Sequence, residues 1–171
     1  MKAFLLTLYF LLFFINTYSQ TSKGNWLVGG QISFSSEKKL LEGQTSSSKI
    51  FQLSPAAAYF FINNLAVGLK TSYYTGRAET DYTNLSIGPF IRGYFLPPDE
   101  RVNIFAQGDY QFGTYFDSST LSLSAGPVIY FHSNVGIEFT VGYSTTSFKY
   151  TDVKNTSILA GIGLQVHLKR K

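Results

Sequence analysis

Cysteine is missing from this chain, and its absence excludes several kinds of site together. Disulfides, thiolate metal sites, a cysteine nucleophile and a lipid-modified N-terminal cysteine all require a thiol. A chain without thiols is suited to crossing an oxidising compartment.

Charge is scarce as well. Charged residues make up only 14% of the 171 residues, and aromatic residues make up 17%, whereas a typical soluble domain has about 25% charged residues. The formal net charge of +4 is spread along the chain, so no nucleic-acid partner is expected. A chain of this length holds one domain.

Only one long hydrophobic run occurs, and it lies at the N-terminus. Lys2 precedes an apolar run from Ala3 to Ile15, and Thr17-Tyr18-Ser19 has the small-x-small pattern of a signal-peptidase site. Residues 1–19 are therefore predicted to be a cleaved signal peptide, followed by a single β-barrel domain over residues 20–171. A permanent helical anchor is the alternative, but a run of about 13 residues is shorter than the roughly 20 that span a bilayer.

What the rest of the chain does have is a two-residue alternation of apolar and polar side chains. In Ile137-Glu138-Phe139-Thr140-Val141 every second side chain is apolar, and successive side chains of a β-strand point to opposite faces. The pattern predicts eight strands, which lie at about 24–35, 49–61, 65–76, 82–96, 102–115, 119–131, 135–148 and 156–168. Their lengths match or exceed the roughly 9–11 residues of a tilted membrane strand. The fold class is therefore all-β, an eight-stranded antiparallel up-and-down transmembrane β-barrel.

Connections of two kinds are predicted between these strands. Short turns rich in Asn, Pro, Asp and Ser are expected at 63–64, 97–101 and 132–134. Longer, more polar loops are expected at 37–48, 76–81 and 149–155, and a shorter connection at 116–118. Short turns on one side and longer loops on the other are typical of membrane barrels.

Three prolines occupy similar places in their segments. Pro55, Pro89 and Pro127 each precede an aromatic-rich strand end and a short turn. Proline lacks a backbone donor and is confined to strand edges, first positions or bulges. A repeated bulge or bend near one rim is therefore predicted.

The alternation assigns a face to each side chain. The apolar face is predicted to contact lipid, and no charge interrupts it within the strands. Its members are Trp26, Val28, Ile32, Phe34, Phe51, Leu53, Tyr59, Phe61, Leu65, Val67, Leu69, Leu85, Ile87, Ile91, Phe95, Ile104, Tyr110, Phe112, Leu121, Leu123, Ile129, Val135, Ile137, Phe139, Val141, Ile158, Ile162, Leu164 and Val166. The opposite face is predicted to line the lumen and is rich in Gly, Ser, Gln and charged residues. Its members are Gly29, Gln31, Ser33, Gln52, Ser54, Gly68, Lys70, Ser72, Ser86, Gly88, Arg92, Gln107, Asp109, Gln111, Ser122, Ser124, Gly126, Gly136, Glu138, Thr140, Gly161, Gly163, Gln165 and His167.

Four charged residues share this inner face, namely Lys70, Arg92, Asp109 and Glu138. Buried charges must be paired and hydrogen-bonded. The interpretation that we favour is a structural ion-pair cluster that plugs the lumen. A functional pocket or a narrow pathway lined by the same residues is the alternative.

The mature chain resembles the small eight-stranded outer-membrane β-barrels of the OmpA/OmpX type. The resemblance covers nearly all of it and rests on the export signal, the eight alternating segments and strings such as Ser86-Ile87-Gly88-Pro89-Phe90-Ile91-Arg92. It implies a bacterial outer-membrane location in contact with outer-membrane lipid, insertion by the barrel-assembly machinery, and a set of surface-exposed loops. It also implies that no cofactor is bound.

These observations favour a structural or surface-interaction protein whose loops, above all residues 37–48, contact a protein or surface partner. One alternative is a lipid A-modifying barrel enzyme, for which His132, Ser133 and Glu138 would be the candidate groups. Adjacent turn residues usually diverge, whereas catalysis needs nucleophile and base within hydrogen-bond reach, so no catalytic residue is expected. Two isolated histidines, His132 and His167, do not form a metal site. The other alternative is a soluble lipocalin-like carrier of an apolar ligand, which would place the apolar face inward.

Overall fold

The computed structural model describes residues 20–41, 44–77, 81–114, 117–132, 134–149 and 151–169. The predicted signal peptide lies outside these residues, so its cleavage stays a prediction. No helix within the described ranges is both long and apolar enough to cross a bilayer.

Eight antiparallel strands form a closed barrel in which each strand pairs with the next and the last pairs with the first. This confirms the predicted fold class. The strands are β1 Trp26–Leu41, β2 Gln44–Ile62, β3 Leu65–Arg77, β4 Asp81–Tyr94, β5 Val102–Gly113, β6 Ser118–His132, β7 Val135–Phe148 and β8 Thr151–Leu168. Closure leaves no open sheet edge within the barrel wall.

The side chains alternate between the two faces of the wall as the sequence predicts. Along β7, Ile137, Phe139 and Val141 are exposed, while Glu138 and Thr140 are buried. All residues predicted to face outward are exposed or half-exposed, and all those predicted to face the lumen are buried or half-buried. The orientation required by a membrane barrel is therefore confirmed, because a lipocalin-like barrel would bury the aliphatic face.

The predicted difference in loop length is wrong. Residues 37–48 were expected to form a long loop, yet β1 and β2 continue through this segment as far as the pair Leu41 and Gln44. Likewise β8 begins at Thr151, inside the expected loop at 149–155, and the long described connection is 95–101, on the side of the short turns. Continued antiparallel pairing satisfies backbone groups that a loop would leave to water, which is the physical reason for the extension.

The prolines themselves are not at bulges, although the β2–β3 register shifts between Phe60 and Ile62 and the β6–β7 register between Tyr130 and His132, beside the short turns. At Pro55 the β2–β3 ladder passes from the pair Leu53–Tyr73 to the pair Ala56–Lys70, so the register is the same on both sides of the interruption. Pro89 and Pro127 interrupt the β4–β5 and β6–β7 ladders in the same way. Because proline has no N–H group, a rung is lost without insertion of an extra residue.

The two ends of the barrel differ. We call the end that carries residues 63–64, 95–101 and Asn134 the turn end, and the opposite end the loop end. A strap of residues 20–25 lies across the turn end. Two backbone hydrogen bonds hold it there. The Gln20 amide donates to the Pro98 carbonyl at 2.9 Å, and the Gly24 amide donates to the Phe60 carbonyl at 2.8 Å.

Asn64 ties this strap to the barrel. Its backbone amide donates to the Thr21 carbonyl at 2.8 Å, its carbonyl accepts from the Tyr94 amide at 2.8 Å, and its side-chain amide donates to the Leu96 carbonyl at 3.2 Å. The Thr21 hydroxyl donates to the Asn64 side chain. Asn64 has a φ of 64°, a conformation that asparagine tolerates better than most residues.

Candidate functional site

The lumen concentrates the buried polar and charged residues of the chain, and its lowest layer, at the turn end, is aromatic. The rings of Phe60, Tyr94, Tyr130 and His167 pack together, with centroids of Phe60 and His167 5.6 Å apart in a stacked pair. The Tyr130 hydroxyl lies 3.3 Å from Nε2 of His167. Phe105 joins this layer beside Tyr94.

Above the aromatic layer, Arg92 of β4 reaches across the lumen to Glu138 of β7. Nη1 of Arg92 lies 2.6 Å from Oε2 of Glu138, and both side chains are more than nine-tenths buried. The Arg92 guanidinium also donates from Nε to Gln107 at 2.8 Å and from Nη1 to Gln165 at 3.4 Å. Its Cζ lies 4.3 Å from the centre of the Phe105 ring, a cation–π distance.

A second ion pair joins β3 to β5. Nζ of Lys70 lies 2.9 Å from Oδ1 of Asp109, whose carboxylate also accepts from the amides of Gln107 at 3.0 Å and Gln111 at 2.9 Å. Gln107 therefore links the two pairs, since its oxygen accepts from Arg92 and its nitrogen donates to Asp109. Each of the four buried charges therefore has an opposite charge as its partner, as burial requires. Arg92 and Asp109 also make hydrogen bonds to glutamine side chains.

Glycines in the neighbouring strands make room for these long side chains. A Cβ built at Gly163 of β8 would lie 2.7 Å from Cγ and Oε1 of Glu138, and one at Gly161 would collide with Nε2 of Gln31. Side chains from β7 and β1 therefore lie across the surface of β8. The interior of an eight-stranded barrel is just wide enough for side chains, so these glycines determine how the lumen is filled.

The structure brings the four predicted cluster residues together as two pairs rather than as one group, Lys70 with Asp109 and Arg92 with Glu138. The aromatic layer was missed by the sequence analysis. Its signal was present, because Phe60, Tyr94, Phe105 and Tyr130 all fall on the inward positions of their strands. Each of these aromatic residues is a single exception on a face that is otherwise mostly polar, so the alternation pattern alone does not reveal that they form a layer.

Of the candidate catalytic groups, the two that the structure describes, His132 and Glu138, lie in different environments. His132 is exposed, whereas Glu138 is buried and paired with Arg92; Ser133 lies outside the described residues. His167, predicted to face the lumen, is 2% exposed and packs within the aromatic layer.

Comparison with solved structures agrees with this architecture. The crystal structure of Neisserial surface protein A superposes with a TM-score of 0.58 at 16% sequence identity, covering 86% of this chain and 100% of that one. The N-terminal β-barrel domain of Pseudomonas aeruginosa OprF superposes with a TM-score of 0.58 at 11% sequence identity, covering 85% of this chain and 98% of that one. The fold is that of the small outer-membrane β-barrels.

The outer-membrane barrel fold is not tied to one activity. A de novo designed transmembrane β-barrel matches with a TM-score of 0.57 at 10% identity, covering 87% of this chain and 99% of that one. No protein-family model and no curated protein matches the sequence. The fold alone therefore does not define the function of this chain.

Proposed function

We propose that this protein is a non-enzymatic integral barrel of the bacterial outer membrane, with a lumen plugged by side chains and a surface-interaction role at its loop end. The observation that carries the proposal is the difference in polarity between the outer and inner faces of the barrel wall. Ile137 and Val141 stand on an uncharged apolar exterior, while Glu138, between them in the strand, is buried and ion-paired. A charge on the lipid face at the membrane midplane costs about 2–4 kcal/mol.

A membrane location predicts outer-membrane lipid as the direct surroundings and the barrel-assembly machinery as the insertion partner. Membrane fractionation of the producing bacterium should place the full-length gene product in the outer-membrane fraction, and unheated samples should migrate differently from boiled ones on a denaturing gel. Solubility without detergent, or loss of the protein to the soluble periplasmic fraction, would contradict the proposal.

The plug is supported by the two linked ion pairs over the aromatic layer. Arg92 and Glu138 span the lumen, and Phe60 and Phe105 are fully buried below them. Purified protein in planar bilayers is expected to give no discrete conductance steps. Regular steps in the wild-type protein would show that ions pass and would contradict the plug.

Surface interaction is supported by the extension of the β1–β2 hairpin. Pairing of β1 with β8 ends at Ser36 and pairing of β2 with β3 ends at Lys49. Beyond these residues, Glu37–Leu41 and Gln44–Ser48 pair only with each other within the described residues. We call these two segments the β1–β2 ribbon. Unpaired strand edges can add a strand from a partner.

A photo-crosslinking residue at Ser47 in the ribbon tests this role, with the same residue at Asp99 on the turn end as the matched control. On intact cells, Ser47 should give adducts with externally added or surface partners, whereas Asp99 should not. Adducts from Asp99 alone would contradict a role for the loop end.

The enzymatic alternative has a direct test. Lipid A from a deletion strain and from the complemented strain should give the same mass spectrum. A modification present only in the complemented strain would overturn the non-enzymatic proposal.

A further inference from the structure

We propose that the mature protein begins with a pyroglutamate, formed by cyclisation of Gln20. The strap of residues 20–25 begins at this residue, and the predicted signal-peptidase cleavage after Ser19 makes it the first residue of the mature chain. This modification rests on that cleavage. It goes beyond the surface role proposed above, because it concerns the turn end rather than the loop end.

Gln20 is buried against the turn end of the barrel. The residue is 8% exposed, and Thr21 beside it is fully buried. The backbone of Gln20 lies next to His167, a member of the aromatic layer. Chain termini are usually poorly ordered and solvated, whereas an α-amino group at this position is largely shielded from water.

The hydrogen bonds that hold Gln20 are made by its backbone. Its nitrogen donates to the Pro98 carbonyl at 2.9 Å, and its carbonyl accepts from Nδ2 of Asn25 at 3.3 Å. A pyroglutamate keeps both groups, since its ring nitrogen carries one N–H and its α-carbonyl is unchanged. Both contacts of residue 20 are therefore available to the cyclised form.

A free α-amino group fits this position less well. Its ordinary pKa is about 7.7–8.0, so near neutral pH it is mostly a positively charged ammonium. A buried charge needs a counter-charge, but the carboxylates nearest in sequence to Pro98, those of Asp99 and Glu100, belong to exposed residues. Exposed ion pairs contribute little to stability, so removal of the charge by cyclisation favours the buried position.

The side chain of Gln20 supplies the leaving group of the reaction. The α-amine attacks Cδ, a bond forms between the α-nitrogen and Cδ as the bond between Cδ and Nε2 breaks, and ammonia leaves with the proton that the amine gives up. No oxidant, reductant or second substrate is needed. Oε1 of Gln20 is buried without a hydrogen-bond partner among the described residues, so cyclisation breaks no hydrogen bond of this oxygen.

Mass spectrometry of the N-terminus tests the proposal on protein purified from the producing bacterium. Free amines are dimethylated at lysis, and an isotope-labelled linear peptide of the same N-terminal sequence reports any cyclisation during the work-up. The expected N-terminal peptide begins at residue 20, has no label on its α-nitrogen and is lighter than the linear peptide by one ammonia. A dimethylated Gln20, or a mature chain that begins at another residue, would overturn the proposal.

Gln20→Ala is the matched control, because alanine cannot cyclise. Its α-amine should be fully dimethylated, and a blocked N-terminus in this variant as well would show a different modification and overturn the proposal. If the variant is not produced, the wild-type peptide alone decides. The membrane fraction in which the protein is found tests its location separately, so the two proposals can fail independently.

The buried position also predicts a difference between two forms of one sequence. Linear protein beginning at Gln20, released from an N-terminal fusion and refolded in detergent, should exchange the Gly24 amide faster than the cyclised protein. Gly24 reports on the strap because its amide donates to the Phe60 carbonyl. Equal exchange rates in the two forms would overturn the argument that a charged terminus is unfavourable there.

Discussion

Arg92 and Glu138 face each other across the lumen at 2.6 Å although they belong to β4 and β7. The strands between them, β5 and β6, contribute Gln107, which accepts from Arg92, and Val128, which is fully buried. The pair therefore braces opposite sides of the wall rather than neighbouring strands. Removing one member would leave the other charge buried without compensation.

Replacing Glu138 by Met should destabilise the barrel by about 3–5 kcal/mol, because a buried guanidinium then lacks its counter-charge. Unfolding in urea from lipid vesicles measures the effect, with fluorescence of Trp26, the one tryptophan of the chain, as the signal. The double variant Arg92→Met/Glu138→Met removes both charges and should regain much of the lost free energy. A double variant as unstable as the sum of the two single variants would show that the pair is not coupled.

The position of each side chain could be predicted from the sequence, but its partner could not. Alternation fixes whether Lys70 points inward, since a period of two assigns every residue of a strand to a face. It does not fix which of two carboxylates Lys70 meets. That choice depends on the strand stagger and on Gly88, which pairs with Lys70 in β4 and has no side chain, so that the ammonium can reach Asp109 on β5.

Strand ends were less predictable for a related reason. Residues 37–48 are polar and rich in Ser and Lys, a composition that suits a loop as well as a ribbon outside the membrane. Hydrophobic alternation marks a strand only where one face meets lipid or a core. The segments of the β1–β2 ribbon lack this alternation in the sequence, although their backbone pairing continues.

Gly88→Ala should prevent or strongly weaken folding. The backbones of β4 and β5 approach so closely that a Cβ at Gly88 would collide with the Tyr110 carbonyl oxygen and lie 2.6 Å from Cα of Gln111. Such overpacking is expected to lower the free energy of unfolding by about 1–3 kcal/mol. The fraction of protein with the mobility of the folded barrel on an unheated gel measures it.

Gly93→Ala is the matched control on the same strand. A Cβ there would lie 3.7 Å from Cδ1 of Leu65, an ordinary contact, and the folded fraction should stay at the wild-type level. Equal folding of the two variants would contradict the close approach at Gly88.

Asn64→Gly should release the strap of residues 20–25 while leaving the barrel folded. Glycine accepts the positive φ of this position but loses the side-chain contacts to Thr21 and Leu96. A loss of about 1–3 kcal/mol of local stability is expected where buried groups lose partners. Hydrogen exchange at the Gly24 amide, which donates to the Phe60 carbonyl, should accelerate accordingly.

Asn134→Gly provides the control for the strap. Its side-chain amide donates to the His167 carbonyl at 2.8 Å in another turn, and exchange at Gly24 should not change. If both variants accelerate that exchange equally, the strap is loosened by general destabilisation and not by loss of the Asn64 contacts.

Val141→Lys tests whether hydrocarbon contacts the aliphatic face. Val141 is 61% exposed near the middle of β7, and a lysine at the membrane midplane should cost about 2–4 kcal/mol. Ser147 is on the same face near the loop end of the strand, where a lysine should cost at most about 1 kcal/mol because the cost falls toward the interface. Urea unfolding of both variants from phospholipid vesicles measures the difference. Since each substitution adds the same side chain to the same face of one strand, equal stabilities would mean that depth in the bilayer has no effect there, and the membrane orientation derived from the alternation would be wrong.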